Sequence, residues 1–215
     1  MGLDWLTWVR WVDRHPAIGG LLAAAYHTMP GQIALPVIVL AVVNRIEDLW
    51  IYLVSFALAL LVTTIIGALL PALSHIAFVD RANFESLRFS GATPVDHLIA
   101  LRASGPVLLR GNLGSILSFP SFHATVAVLT PLMLMRYRYI VIPLAVLDLV
   151  MFCSTVTEGA HYGCDAIAGG CVAVIAHASV RRTMRRLDQQ AVGNHNFDRN
   201  AAGLLPRSGT LNATA

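Results

Sequence analysis

From Leu49 to Leu73 the sequence carries no charged side chain. About 20 apolar residues suffice for a helix to cross the hydrocarbon of a bilayer, so this one run rules out an ordinary water-soluble domain. Further apolar stretches extend over Phe122 to Met135, Tyr139 to Thr157 and Tyr162 to Val180. The composition agrees, with 56% hydrophobic and only 13% charged residues and a mean hydropathy of +0.66. Charged residues make up roughly a quarter of an average soluble domain. The expected fold is therefore all-α, a polytopic membrane helical bundle.

The first apolar region, Ala17 to Val43, is interrupted by Pro30-Gly31 and Pro36, and neither half reaches bilayer thickness alone. Read as one kinked span it gives five crossings in all; read as two short ones, six. Before it, Trp5, Trp8, Trp11 and Val12 recur at helical spacing opposite Asp4, Arg10 and Asp13, the pattern of an amphipathic helix lying in the interface. The chain then divides into an interfacial helix over 1–15, a transmembrane domain over 16–180 and a basic tail over 181–215 with little fixed structure. No cleavable signal peptide is evident, because the segment from Asp4 to Arg14 has the wrong shape for one. Cys153, Cys164 and Cys171 lie in apolar segments without paired spacing and read as packing residues. The Asn-Ala-Thr at Asn212 fits a glycosylation sequon, but one on the inner side of a membrane carries no meaning.

All 15 basic residues are arginine. Arg45, Arg136 with Arg138, and the run Arg181, Arg182, Arg185 and Arg186 fall on one side if the spans alternate, and short cytoplasmic loops carry the excess of positive charge. That side is expected to be the cytoplasm, and the tail with it. The loop from about Ser74 to Pro120 and the turn near Glu158 then face outward.

Two polar clusters sit at outward ends of spans, where polar residues are costly without a purpose. In the first, Ser121 is a plausible N-cap and His123 falls in the first turn of the helix it opens, beside backbone N–H groups suited to an anion. In the second, Ser154 to Asp165, the i,i+4 spacing of His161 and Asp165 puts both on one face of the last helix. A carboxylate so placed fixes the tautomer of an imidazole and supports its positive charge. Two histidines at one membrane face suit phosphoryl transfer through a phosphohistidine, one ring attacking and the other protonating the leaving oxygen, a contribution of roughly 10² to 10⁴ in rate.

Pro120-Ser121-Phe122-His123 resembles the second motif of the type 2 phosphatidic acid phosphatase (PAP2) superfamily, normally Pro-Ser-Gly-His. Ser154-Thr155, five residues, His161, three residues and Asp165 resemble its third motif, Ser-Arg-x5-His-x3-Asp. The resemblance covers roughly Asp96 to Val180. It implies His161 as nucleophile, Asp165 as its orienting partner, His123 as general acid and Ser121 as a phosphate ligand, with Ser154 also among the substrate-binding residues. It implies no cofactor, no metal and no nucleic acid; the partners are the bilayer and a phosphate-bearing lipid.

The chain departs from the superfamily pattern in two places. The first motif, Lys-x6-Arg-Pro, is impossible without lysine, and Thr155 stands where the third motif has arginine. Arg102 and Arg110 are the candidates to restore the positive charge, since guanidinium binds phosphate in bidentate fashion; Arg81 and Arg88 are weaker ones. Phe122 in place of glycine, with Glu158-Gly-Ala-His-Tyr, looks more like the branch of inositol phosphorylceramide synthase and sphingomyelin synthase, which transfers head groups between lipids. Two other readings stand beside this one. His123, His161 and Asp165 with a water form a ligand set compatible with hydrolytic zinc, and a non-catalytic membrane protein would have kept the fold without the clamp. His15, His75, His97, His177 and His195 read as structural, as do Glu158, taken as a solvated turn residue, and Asp148, despite its place mid-span; His27, beside Pro30, is a candidate to face the site.

Overall fold

A computed structural model gives the fold and describes residues 5–70, 72, 74, 83–85, 87, 119–159 and 161–203, with side chains of the last helix to Ala191. Among the described residues all regular structure is helical, in seven helices: α1 (Trp5–Asp13), α2 (Pro16–His27), α3 (Met29–Val42), α4 (Ile46–Leu69), α5 (Phe122–Leu134), α6 (Arg138–Thr157) and α7 (Gly163–Gly203).

The amphipathic pattern of α1 is realised as two faces. Val9 and Val12 are fully buried against Leu22 and Leu87, while Trp8 and Trp11 stack on each other at 5.4 Å on the exposed side. The broken first region is two helices bent by 46° at Thr28. Pro30 lies in the first turn of α3, where its missing N–H costs nothing. The Thr28 hydroxyl donates to the Ala25 carbonyl (2.6 Å) and accepts from Gln32 Nε2 (2.9 Å), fixing the corner.

Helix α3 ends in a Schellman turn. Asn44 takes a positive φ of 56°, its N–H reaches the Ala41 carbonyl (3.0 Å), and the Arg45 N–H reaches Leu40 (2.8 Å). The chain so reversed starts α4, and the Tyr52 hydroxyl of α4 donates back to the Ile33 carbonyl of α3 at 2.9 Å.

By length and composition α4, α6 and the apolar part of α7 are able to cross a membrane, and the α2–α3 pair makes a fourth, broken span. The fifth expected crossing, α5, has 13 residues, which at 1.5 Å per residue gives a helix of about 20 Å against a hydrocarbon core of about 30 Å. The crossings long enough by themselves are thus fewer than the five or six read from hydropathy. The backbone of α7 stays helical through the arginine run to Gly203.

Short α5 sits at the centre. It packs against α7, α6, α3 and α4, and none of its residues is fully exposed. Leu129 and Leu134 join Leu40, Tyr52, Leu144 and Ala173 in the main core. The opposite faces of the long helices expose large apolar side chains, among them Leu61, Ile65, Ile142, Val146, Leu149 and Ile175. Apolar faces of that extent belong against lipid, and the chain is an integral membrane protein. Asp148 lies buried in α6 at 3% exposure, with neither carboxyl oxygen hydrogen-bonded among the described residues.

Candidate active site

The two polar clusters meet where α5 and α7 begin. Ser121 is the N-cap of α5, its hydroxyl accepting from the Ala124 N–H at 3.4 Å. Its own N–H donates to the Asp165 carbonyl in the first turn of α7 at 3.0 Å. One turn further on, the Thr125 hydroxyl lies 3.0 Å from both the Ser121 and the Gly169 carbonyl oxygens. A Cβ on Gly169 would collide with the Ser121 carbonyl, so only glycine lets the helix starts approach this closely. Both sequence motifs are thereby held at one end of the bundle.

His161 lies just before α7, not on it as the i,i+4 spacing suggested, because the helix starts at Gly163. Its N–H donates to the Thr155 carbonyl at the end of α6 (3.0 Å). The His161 ring and Asp165 are both buried, at 6% and 3% exposure, and Nδ1 stands 3.7 Å from Asp165 Oδ2. That is an ion-pair distance, longer than a hydrogen bond. The carboxylate is fixed by other donors: Oδ2 accepts from the Tyr162 N–H (2.9 Å) and Oδ1 from the Cys164 thiol (3.4 Å).

His123 is held from another direction. Its ring stacks on Tyr26, at the end of α2, with centroids 3.8 Å apart and planes 11° from parallel. Gly159 links this pair to His161, since a Cβ there would stand 2.7 Å from His161 Cδ2 and 3.1 Å from Tyr26 Cε2. The two histidines thus flank one contact between Tyr26 and Gly159. His161 and His27 are both close enough to act electrostatically on His123. His27 itself is exposed, its ring edge-on to Tyr26 at 5.7 Å, which puts it at the rim.

Tyr26, Gly159, Thr125 and Gly169 were not singled out from sequence. Their contacts join segments far apart in the chain, and only the pair Gly169-Gly170 inside an apolar helix hinted at a close approach. Phe122, where the superfamily motif has glycine, packs edge-on against Phe56 of α4 at 5.7 Å and so anchors the start of α5.

Other sequence candidates fall differently. The Ser154 hydroxyl is fully buried and donates to the Met151 carbonyl (2.7 Å), and its own carbonyl accepts from the Glu158 N–H (2.8 Å), closing the end of α6. Glu158, expected to be a solvated turn residue, is buried at 4% exposure. The chain folds it inward because the turn from α6 to α7 packs under Tyr26. Arg81, Arg88, Arg102 and Arg110 lie outside the described residues. Among the described residues no group of three His, Cys, Asp or Glu side chains is arranged to hold a metal ion, so the zinc reading of His123, His161 and Asp165 finds no such geometry.

Comparison with known proteins agrees with the motifs. No curated protein and no solved structure matches the chain. The profile of the PAP2 superfamily, whose members are phosphatases and phosphotransferases, matches residues 1–179, which is most of the chain and includes every helix that builds the site. By that match over residues 1–179, this membrane bundle with its two histidine motifs at one end belongs to the PAP2 superfamily.

Proposed function

We propose that the protein cleaves a lipid phosphate ester at the extracytoplasmic face through a phosphohistidine intermediate. The observation that carries this reading is the junction of Ser121 and Asp165, which brings His123 and His161 to one end of the bundle. Nδ1 of His161 faces Asp165, leaving Nε2 as the attacking atom. Nε2 forms the N–P bond as the ester P–O bond breaks, and His123 delivers a proton to the leaving oxygen. Water or a second alcohol then attacks phosphorus, gives its proton to His123 and releases His161. Ser121 is itself fully buried, capping the start of α5 through Ala124, so its part in this reading is to hold the helix start whose remaining N–H groups take the phosphate oxygens, with Arg102 and Arg110 as the candidates to complete the clamp. The arginines support this choice of face: Arg136 and Arg181 line the other end of the bundle together with Asp48, which pairs with Arg45, and an excess of positive charge favours the cytoplasmic side.

Water as acceptor makes the protein a phosphatase. The absent first motif and Phe122 favour the second reading, a head-group transferase similar to inositol phosphorylceramide synthase. The test is a panel of labelled phosphatidic acid, an isoprenyl diphosphate and an inositol phospholipid with a lipid alcohol, given to the wild type and to His161→Ala. The wild type should release phosphate or transfer a head group, and removal of the nucleophile should lower the rate by several orders of magnitude. Activity within twofold of wild type in His161→Ala would reject the mechanism, and the labelled product tells hydrolysis from transfer.

A further inference from the structure

At the end of the bundle away from the histidines, α4, the end of α5, the turn into α6 and α7 enclose a cavity of about 250 Å³. It lies roughly 20 Å along α7 from the start of that helix, at 1.5 Å per residue. Its polar lining is Arg136, Tyr137, His177, Arg181 and Asp48, and the rest is isoleucine, leucine and methionine. His177 and Arg181 are one turn apart and share a face of α7, while Arg136 arrives from the α5–α6 turn opposite.

The groups in this cavity want an anion. Among the described residues neither Arg136 nor Arg181 is held in an ion pair. His177 lines the cavity beside Arg181, half-buried on the same face of α7. The one acidic group, Asp48, is already engaged by Arg45, whose Nε donates to Oδ2 at 3.0 Å. The cavity is therefore left cationic, with two guanidinium groups converging from different elements and an imidazole between core and rim. Arginines that serve only as topology signals need no cavity; Arg182, Arg185 and Arg186 do not line this one.

We propose that this cavity is a second phosphate-binding site, distinct from the histidine pair, that takes the phosphate of an anionic lipid head group or a free phosphate ion. Its size suits a phosphate with its glycerol, not a whole lipid. The apolar wall would lie along the first part of the lipid, and the two arginines would grip the phosphate oxygens in bidentate fashion. The proposal does not rest on the catalytic reading.

The test places the full chain in nanodiscs of phosphatidylcholine, with a series of phosphatidylglycerol fractions or with added inorganic phosphate, and follows the thermal unfolding midpoint. Wild type should be stabilised by several degrees by phosphatidylglycerol, by phosphate, or by both; which arm responds identifies the source of the anion. Arg136→Gln/Arg181→Gln should lose that response, and the single Arg181→Gln variant should need at least fivefold more anion. Arg185→Gln/Arg186→Gln, which removes equal charge beyond the cavity, should respond as wild type does. Stabilisation that persists in Arg136→Gln/Arg181→Gln, or in Arg181→Gln at unchanged anion level if the double variant does not fold, overturns the proposal. So does a wild type that responds to neither anion, or a control pair that loses the response equally.

Discussion

At Gly169 a single missing methyl group decides whether the two motifs meet. The Ser121 carbonyl occupies the space a Cβ would need, and the contact is backbone, which has little room to give. Forcing atoms into a packed site costs typically 1–3 kcal/mol and occasionally more. Gly169→Ala should therefore lower the unfolding midpoint by several degrees and abolish activity, whereas Gly163→Ala, with nothing within 4 Å of its Cβ, should leave both unchanged. Equal midpoints for the two variants would show that the helix starts are not joined there. Tyr26 acts on the same site through its ring face, and stacked aromatic pairs are worth about 0.5–1.5 kcal/mol beyond burial. Tyr26→Phe keeps the stack on His123 and should retain near wild-type kcat; Tyr26→Ala should lower kcat about tenfold, the rate equivalent of 1.4 kcal/mol, with KM little changed. Steady-state kinetics of the pair distinguishes a role of the ring from one of the hydroxyl.

The short helix α1, packed on α2 through Val12 and Leu22, is tied by one carboxylate to the chain around Glu85. Asp13 accepts from the Glu85 N–H at 3.2 Å and the Leu87 N–H at 3.0 Å, and Leu87 then packs onto Val9, Val12 and Leu22. Hydrogen bonds to a charged acceptor contribute about 1.5–3 kcal/mol each, less where solvent screens them. Asp13→Ala should make the chain near Glu85 and Leu87 cleavable by protease at concentrations the wild type resists, and a digestion pattern identical to wild type would remove this anchor. Nothing in the sequence pointed to it, because a carboxylate and two backbone amides 72 and 74 residues away leave no periodic trace. Local signals were legible for the complementary reason. The uncharged run that became α4, the two faces of α1, Ser121 as an N-cap and the break near Pro30 all follow from neighbours within one or two turns. Features made by distant segments were not legible: the burial of Glu158, the Tyr26–His123 stack and the departure of His161 from the helical face shared with Asp165. The apolar run of α5 was likewise legible, but that its helix has only 13 residues was not.

Seen as a whole, the bundle has two poles. Histidines 123 and 161 with Asp165 stand at one, and Arg136 and Arg181 at the other, joined by the same two helices, α5 and α7. Helix α5 covers that interval with 13 residues, but α6, which starts beside Arg136 and ends at the turn into His161, has 20. At 1.5 Å per residue α6 is about 30 Å long, the thickness of an ordinary hydrocarbon core. A thicker or thinner bilayer must then deform around the bundle or tilt it, at a cost that grows with the mismatch. Turnover should accordingly peak in vesicles of intermediate chain length and fall toward both shorter and longer phosphatidylcholines, a trend read by assaying one enzyme preparation from fourteen to twenty-two carbons; a flat profile would show that the two poles do not sit at opposite boundaries. The length of a single helix thus makes the thickness of the host membrane a determinant of how fast the catalyst works.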